Sequence, residues 1–327
     1  MSDATIPETM IEPHEPHWVS RAAFPVLVAI FGVTQAALFV SVRHHNYWLA
    51  VPLVLMSSHL MHGMLIGFHE ASHSLLRKSR LLNEIDGVII GVLSLMSFSL
   101  YRAAHQSHHA YLATERDEEL WPFVVTGMPR WSRVLAAILE LTFGLFFTPF
   151  LFLRAFLREG SPIRNKRLRR RIWFEFATTA FIWLSILATV AILDAWNYFL
   201  WLYLIPAWLA ANMQSVRKYI EHVGLTGSTI NSATRNIVAD NWLGKLVSFT
   251  LLHEPFHGVH HRHSGLPHAE LPQYVAELEP KSPDERPPFR SYSHAFVDLF
   301  RNLADPRVGG HWRGIVAPSR QEMLKAV

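Results

Sequence analysis

Four stretches of this 327-residue chain are apolar for membrane-spanning lengths: residues 24–42, 48–68, 172–193 and 198–213. A helix needs about 20 such residues to cross a bilayer. The first two runs are separated by the short polar break Arg43-His44-His45-Asn46-Tyr47, and the last two by Asp194-Ala195-Trp196-Asn197. They read as two helical hairpins, each returning the chain to the side it left. Residues 88–100 are apolar but too short to cross, which suits an in-plane or re-entrant segment covered by protein. Residues 134–156 are interrupted by Thr148-Pro149. The expectation there is a segment that dips in and returns at Pro149, or one that lies in the interface. The fold class is therefore all-α: a polytopic membrane protein with four transmembrane helices, interfacial or re-entrant segments and a cytosolic helical cap.

Charge orients this scheme. Between the second and third spans stand Arg154, Arg158, Arg164, Lys166, Arg167, Arg169, Arg170 and Arg171, against the single acid Glu159. The positive-inside rule places that loop in the cytoplasm. The net charge of +4 and a pI near 9.4 do not indicate nucleic acid, because lipid headgroups account for a basic loop between apolar runs. The absence of cysteine excludes disulfides, thiolate metal sites and thiol catalysis. The first 20 residues carry Asp3, Glu8, Glu12 and Glu15 and do not read as a cleavable signal peptide. Three units are expected: a polar N-terminal arm over 1–20, a membrane domain over 21–272 and a cytosolic C-terminal extension over 273–327.

Histidine spacing carries the chemistry. The stretch LHEPFHGVHHRHSGLP holds His253, His257, His260, His261 and His263. As a helix it places His257, His260 and His261 on one face, with His253 one turn earlier on that face. The same triplet recurs as His105, His108 and His109 in HQSHH, and HEASH spaces His69 and His73 by four. His222, beside Glu221, follows the fourth span. His69 and His73 alone are as easily a polar pair at a helix end. Taken together, the clusters indicate a metal site gathered from distant parts of the chain. Nine imidazoles exceed the roughly four ligands of a zinc site. They suit two ions, each with four or five nitrogens and a position open for oxygen. Glu70, Glu221, Glu254 and Asp117 are candidates to accept the second N–H of ligand rings. His44, His45, His59, His62 and His268 read as interfacial or supporting residues, and His253 and His263 stand off the shared triplet.

From Met61 to Leu271 the chain resembles the integral-membrane fatty acid desaturase and hydroxylase superfamily. The boxes HEASH, HQSHH and HGVHH occur in that superfamily's order, with EHVG between the second and third and Pro267 to Leu271-Pro272 as a proline-containing ending. The resemblance implies two irons held by His69, His73, His105, His108, His109, His222, His257, His260 and His261 above a four-helix stem. O2 would be the co-substrate. One departure is Lys218, where animal acyl-CoA desaturases carry Asn one turn before the lone histidine. A cytochrome b5 motif is absent from either end, so a separate ferredoxin, rubredoxin or cytochrome is expected as electron donor. The expected function is O2-dependent C–H activation on a long-chain lipid, foremost fatty acyl desaturation. Hydroxylation, ketolation or oxidative decarboxylation (terminal alkene formation) of a fatty acid, alkane or carotenoid is the alternative. A histidine-rich membrane metal-binding or transport protein is the non-enzyme alternative. It predicts ionisable residues within the spans, and residues 24–42 and 172–193 are almost bare of them. The expected location is an inner membrane if the source is bacterial, with the active site facing the cytoplasm.

Overall fold

The computed structural model describes residues 18–315, so most of the N-terminal arm lies outside the described residues. Helices α1 (Trp18–Arg43) and α2 (Tyr47–Ser72) form the first hairpin, and α6 (Lys166–Ile192) opens the second. The return leg of the second hairpin is one helical path, Trp196–His222. It consists of α7 (Trp196–Phe199), a π-helical stretch Leu200–Leu204 and α8 (Ile205–His222). At the first hairpin turn, Asn46 caps α2 by accepting from the Leu49 N–H at 3.3 Å. α2 packs against both α1 and α8.

The outer faces of these helices are apolar and uncovered. Trp48 is 95% exposed and Ile192 82%, and Phe174, Phe181 and Leu184 are exposed along α6. A water-facing helix does not carry such a stripe, so these are lipid-facing surfaces and the chain is a membrane protein.

Two segments are bent, as the sequence leads one to expect. α3 (Arg80–Leu93) and α4 (Phe98–Ala110) meet at 103°. α5 (Arg130–Leu157) is long and apolar enough to cross a membrane, yet both its ends touch the polar cap. Near its start Arg130 Nε donates to the Ala304 carbonyl at 2.8 Å. Near its end Arg154 donates to Glu118 at 2.8 Å. The bend differs from the expected place. Pro149 stays within the helix, and the break falls at Phe143 (φ −125°, ψ 34°). The cause is tertiary. Asn212 of α8 accepts from the Gly144 N–H at 2.9 Å and donates to the Thr142 carbonyl at 3.1 Å. Those bonds satisfy groups that the break would orphan. Gly144 is required here, because a Cβ would lie 2.9 Å from the Ala211 carbonyl oxygen.

The cap is built from α9 (Ile230–Ala233), α10 (Trp242–Thr250), α11 (His257–Arg262), α12 (Tyr292–Asn302) and their connections. Among the described residues strand pairing is limited to one isolated bridge, Ile237 with Phe289. Leu112, Leu120, Phe123, Tyr219, Ile230, Ala295 and Leu299 share one buried cluster. That cluster ties the middle loops and α12 to the base of α8.

Candidate metal centre

Each histidine is delivered by a helix end. His69 lies in the last turn of α2 and His73 caps it. His105, His108 and His109 occupy the last turns of α4, and His222 ends α8. α4 is fixed at its other end. Glu175 of α6 accepts from the Ser99 N–H at 2.9 Å and from the Ser97 and Ser99 hydroxyls at 2.7 and 2.6 Å. A carboxylate at a helix N-terminus suits the helix dipole. His257, His260 and His261 share the short helix α11, whose Gly258 N–H donates to Asn236 Oδ1 at 2.5 Å. A Cβ at Gly258 would lie 2.9 Å from that amide, so this box needs its glycine.

All nine rings that the sequence singles out converge, in two groups. His69, His73, His105, His109 and His260 form one; His108, His222, His257 and His261 form the other. Within each group the ligand atoms lie within 4.8 Å of one another. The Nε2 of His105 lies 3.0 Å from that of His73 and 3.1 Å from that of His109. Across the second group, Nε2 of His257 lies 2.8 Å from that of His222 and 3.0 Å from that of His261. All nine rings are buried except His73, which is half-buried.

The opposite ring nitrogens decide what these contacts mean. Nδ1–H of His105 donates to Glu119 at 2.8 Å, that of His108 to Asp117 at 2.8 Å and that of His257 to Glu254 at 3.0 Å. His222 Nδ1–H donates to the Ala233 carbonyl at 3.1 Å. With the proton held on Nδ1, each Nε2 presents a lone pair to the centre. Lone pairs about 3 Å apart repel, so the arrangement fits a cation at the middle of each group. Burial holds His257 in the neutral, ligating form by lowering its pKa to about 4, although Glu254 pulls the other way. Burial likewise keeps His260 and His261 well below the usual imidazole range.

Of the four carboxylates expected behind the rings, Asp117 and Glu254 take that position. Glu70 and Glu221 do not. Glu70 comes no nearer than 3.6 Å to His69 Nδ1. Glu221 instead pairs with Arg217 Nη1 at 2.6 Å. Two participants lie outside the sequence expectation. Glu119 is the first; its signal is the acidic run that also supplies Asp117. Arg217 is the second. It is buried, it also pairs with Glu254 at 2.8 Å, and its signal is the i, i+4 spacing to Glu221.

Among the described residues, the remaining histidines stand apart from both groups. His253 does not share the face of α11, because Leu252 and His253 take positive φ (49° and 55°) in a turn. Its ring lies parallel to that of His268 instead. His263 bonds to Glu277 at 2.9 Å and His59 to the Thr250 hydroxyl at 2.8 Å. His44 and His45 are exposed at the hairpin turn, and His62 is buried on α2.

A cavity of about 970 Å³, including its open mouth, runs from the centre between α2, α3, α5 and α8. Met61, Leu65, Ile90, Leu93 and Ala207 line its apolar length. Tyr101 and Glu119 line its end at the centre, where Tyr101 stacks on His105 with ring centroids 5.3 Å apart. An open slot with this apolar lining suits a hydrocarbon chain.

Residues 46–293 match the family model for fatty acid desaturases. No curated protein matches the chain.

Proposed function

The chain belongs to the fatty acid desaturase family, and on that premise we propose that it is a di-iron oxidase acting on a long-chain lipid, foremost by fatty acyl desaturation. The family makes it a membrane oxidoreductase of lipid metabolism; iron, reaction and substrate are the proposal. The observation that supports it most is the convergence of nine imidazoles in two groups, with four of the rings anchored at Nδ1 by Glu119, Asp117, Glu254 and a backbone carbonyl.

One ion would be held by His69, His73, His105, His109 and His260, and the other by His108, His222, His257 and His261. Iron bound there supplies O2 activation and removal of hydrogen from an unactivated C–H bond. The protein supplies position. Glu119, Asp117 and Glu254 fix ring orientation, and Arg217 holds Glu254 in place. The apolar cavity seats the chain of the substrate and excludes water from its reacting segment. We place the centre on the cytoplasmic side, with the basic segment 158–171. The separate electron donor (ferredoxin, rubredoxin or cytochrome) would approach from that side.

The decisive experiment is lipid and hydrocarbon profiling of a host with and without the active gene. Mass spectrometry separates a new double bond, two hydrogens lighter, from an added oxygen. Purified protein is expected to hold about two irons per chain. Active protein containing zinc alone rejects the reading. Extracytoplasmic labelling of tags placed at 160–170 rejects the orientation.

A further inference from the structure

The cavity wall is not apolar throughout. Lys218 of α8 and Glu140 of α5 form an ion pair in it, with both side chains more than nine-tenths buried. The Tyr219 hydroxyl donates to the second oxygen of Glu140 at 3.0 Å, and Thr148 donates to the first at 3.3 Å. Gln214 and Ser215 extend the polar patch along α8. A buried ion pair is a poor stabilising device, since apolar residues of equal volume commonly serve stability as well or better. In a slot otherwise shaped for hydrocarbon, this one asks for a polar ligand.

Its place is specific. Lys218 lies one turn before His222 on the same helix face, about 6 Å along the axis. Glu119, the partner of His105, lines the same cavity. The patch therefore stands at the end of the cavity nearest the centre, and the apolar length runs away from it.

We propose that Lys218 and Glu140 receive the carboxyl group of a free fatty acid inside the cavity. This rests on the reading that the enzyme acts on a long-chain lipid, and it narrows the fatty acyl substrate proposed above to the free acid. An ammonium has three donors, and one oxygen of Glu140 uses one of them. An acid that enters with its proton leaves the charge of the patch unchanged. Two carboxyl groups and one ammonium then share that proton, because two carboxylates at one site do not both ionise. An ester or thioester has no proton to share, and its alcohol or thiol group would run into the wall at Glu140. With the carboxyl group here, the tail lies along Leu65, Ile90 and Ala207. The C–H bonds nearest the metal groups are then the first few counted from the carboxyl carbon.

The test is binding of palmitic acid and of methyl palmitate to purified protein in detergent, without turnover. The variant Lys218→Met with Glu140→Gln leaves no unpaired charge buried. It is expected to weaken binding of the acid about 10- to 100-fold, the range of a charge-assisted hydrogen bond, and to leave binding of the ester unchanged. Lys218→Arg, which keeps the pair, is expected to keep most acid binding. The idea fails if the double variant weakens acid and ester alike, or weakens neither. Loss of the oxidase reading would appear separately, as protein without iron or O2 uptake, and would leave the acid-against-ester comparison intact.

Discussion

Arg217 donates to Glu254 at 2.8 Å, and Glu254 in turn reaches both halves of the metal centre. Its Oε1 accepts from His257, a ring of the four-membered group, at 3.0 Å. Its Oε2 lies 3.2 Å from Nδ1 of His69, a ring of the five-membered group. Removing the guanidinium strands two buried carboxylates, Glu221 and Glu254. Arg217→Met is expected to cost about 3–5 kcal/mol of stability, the range for breaking a buried pair. Thermal unfolding in detergent measures it; a shift too small to resolve would mean that neither carboxylate depends on Arg217.

Asp117→Asn tests the tautomer argument. Oδ2 accepts from both His108 Nδ1 and the Ala113 N–H, while Oδ1 faces the Glu119 and Leu120 N–H groups. An amide replaces one of those acceptors with a donor, so either the ring or the loop loses its partner. Metal affinity is expected to fall about 10- to 100-fold, as read by competition with a chelator.

His108→Ala and His260→Ala each remove one ring, from different groups. Both are expected to abolish turnover and to leave membrane insertion intact. Metal analysis should show the loss in one group at a time, with iron falling from about two per chain towards about one. Wild-type turnover in either variant contradicts the two-group centre.

Acid should destabilise the metal-free protein, and two histidines outside both groups contribute alongside the ring groups. Burial lowers His253 to about 4 and His268 to about 3, against 6.5 for the free side chain. The unfolded chain therefore takes up protons that the folded chain refuses. Stability from these groups is full above about pH 6.5 and falls as the pH drops towards about 4. Unfolding temperatures measured at pH 7.5 and pH 5 check the sign. His253→Phe is expected to reduce the slope.

Asn212→Leu removes two of the three side-chain bonds from α8 that bridge the break at Phe143, leaving the one from Trp208 to the Thr142 carbonyl. Leaving the Gly144 N–H and one bond to the Thr142 carbonyl unmade is expected to cost about 1–3 kcal/mol. Unfolding in detergent reads it; an unchanged transition would mean that the break is satisfied without Asn212.

What the sequence could disclose follows the range of the interactions. The nine rings are legible because each box is local: spacings of three and four on a helix select one face whatever the chain does elsewhere. Glu254 is legible because it lies three residues from His257, whereas Asp117, beyond the end of α4, is marked only by its nearness in sequence to His108. His222 needed more context, and its place after a span supplied it. Glu119 sits beyond the turn that follows α4, where helical spacing no longer predicts direction. Arg217 is given its role by a residue 37 positions away. The bend of α5 shows the same limit. Pro149 is the local signal for a break, but an amide from α8 moves it to Phe143. At His253 a left-handed turn cancels a periodicity that spacing alone extends.

The unequal ancestry of the two ring groups has a consequence for biosynthesis. Four of the five rings in the first group have been synthesised by residue 109, whereas three of the four in the second come from His222 onward. A nascent chain thus holds most of the first ring group before α8 exists, and the second is complete only after α11 has been made. If the two groups hold iron as proposed, a pulse of limiting iron during synthesis is expected to fill the halves unevenly.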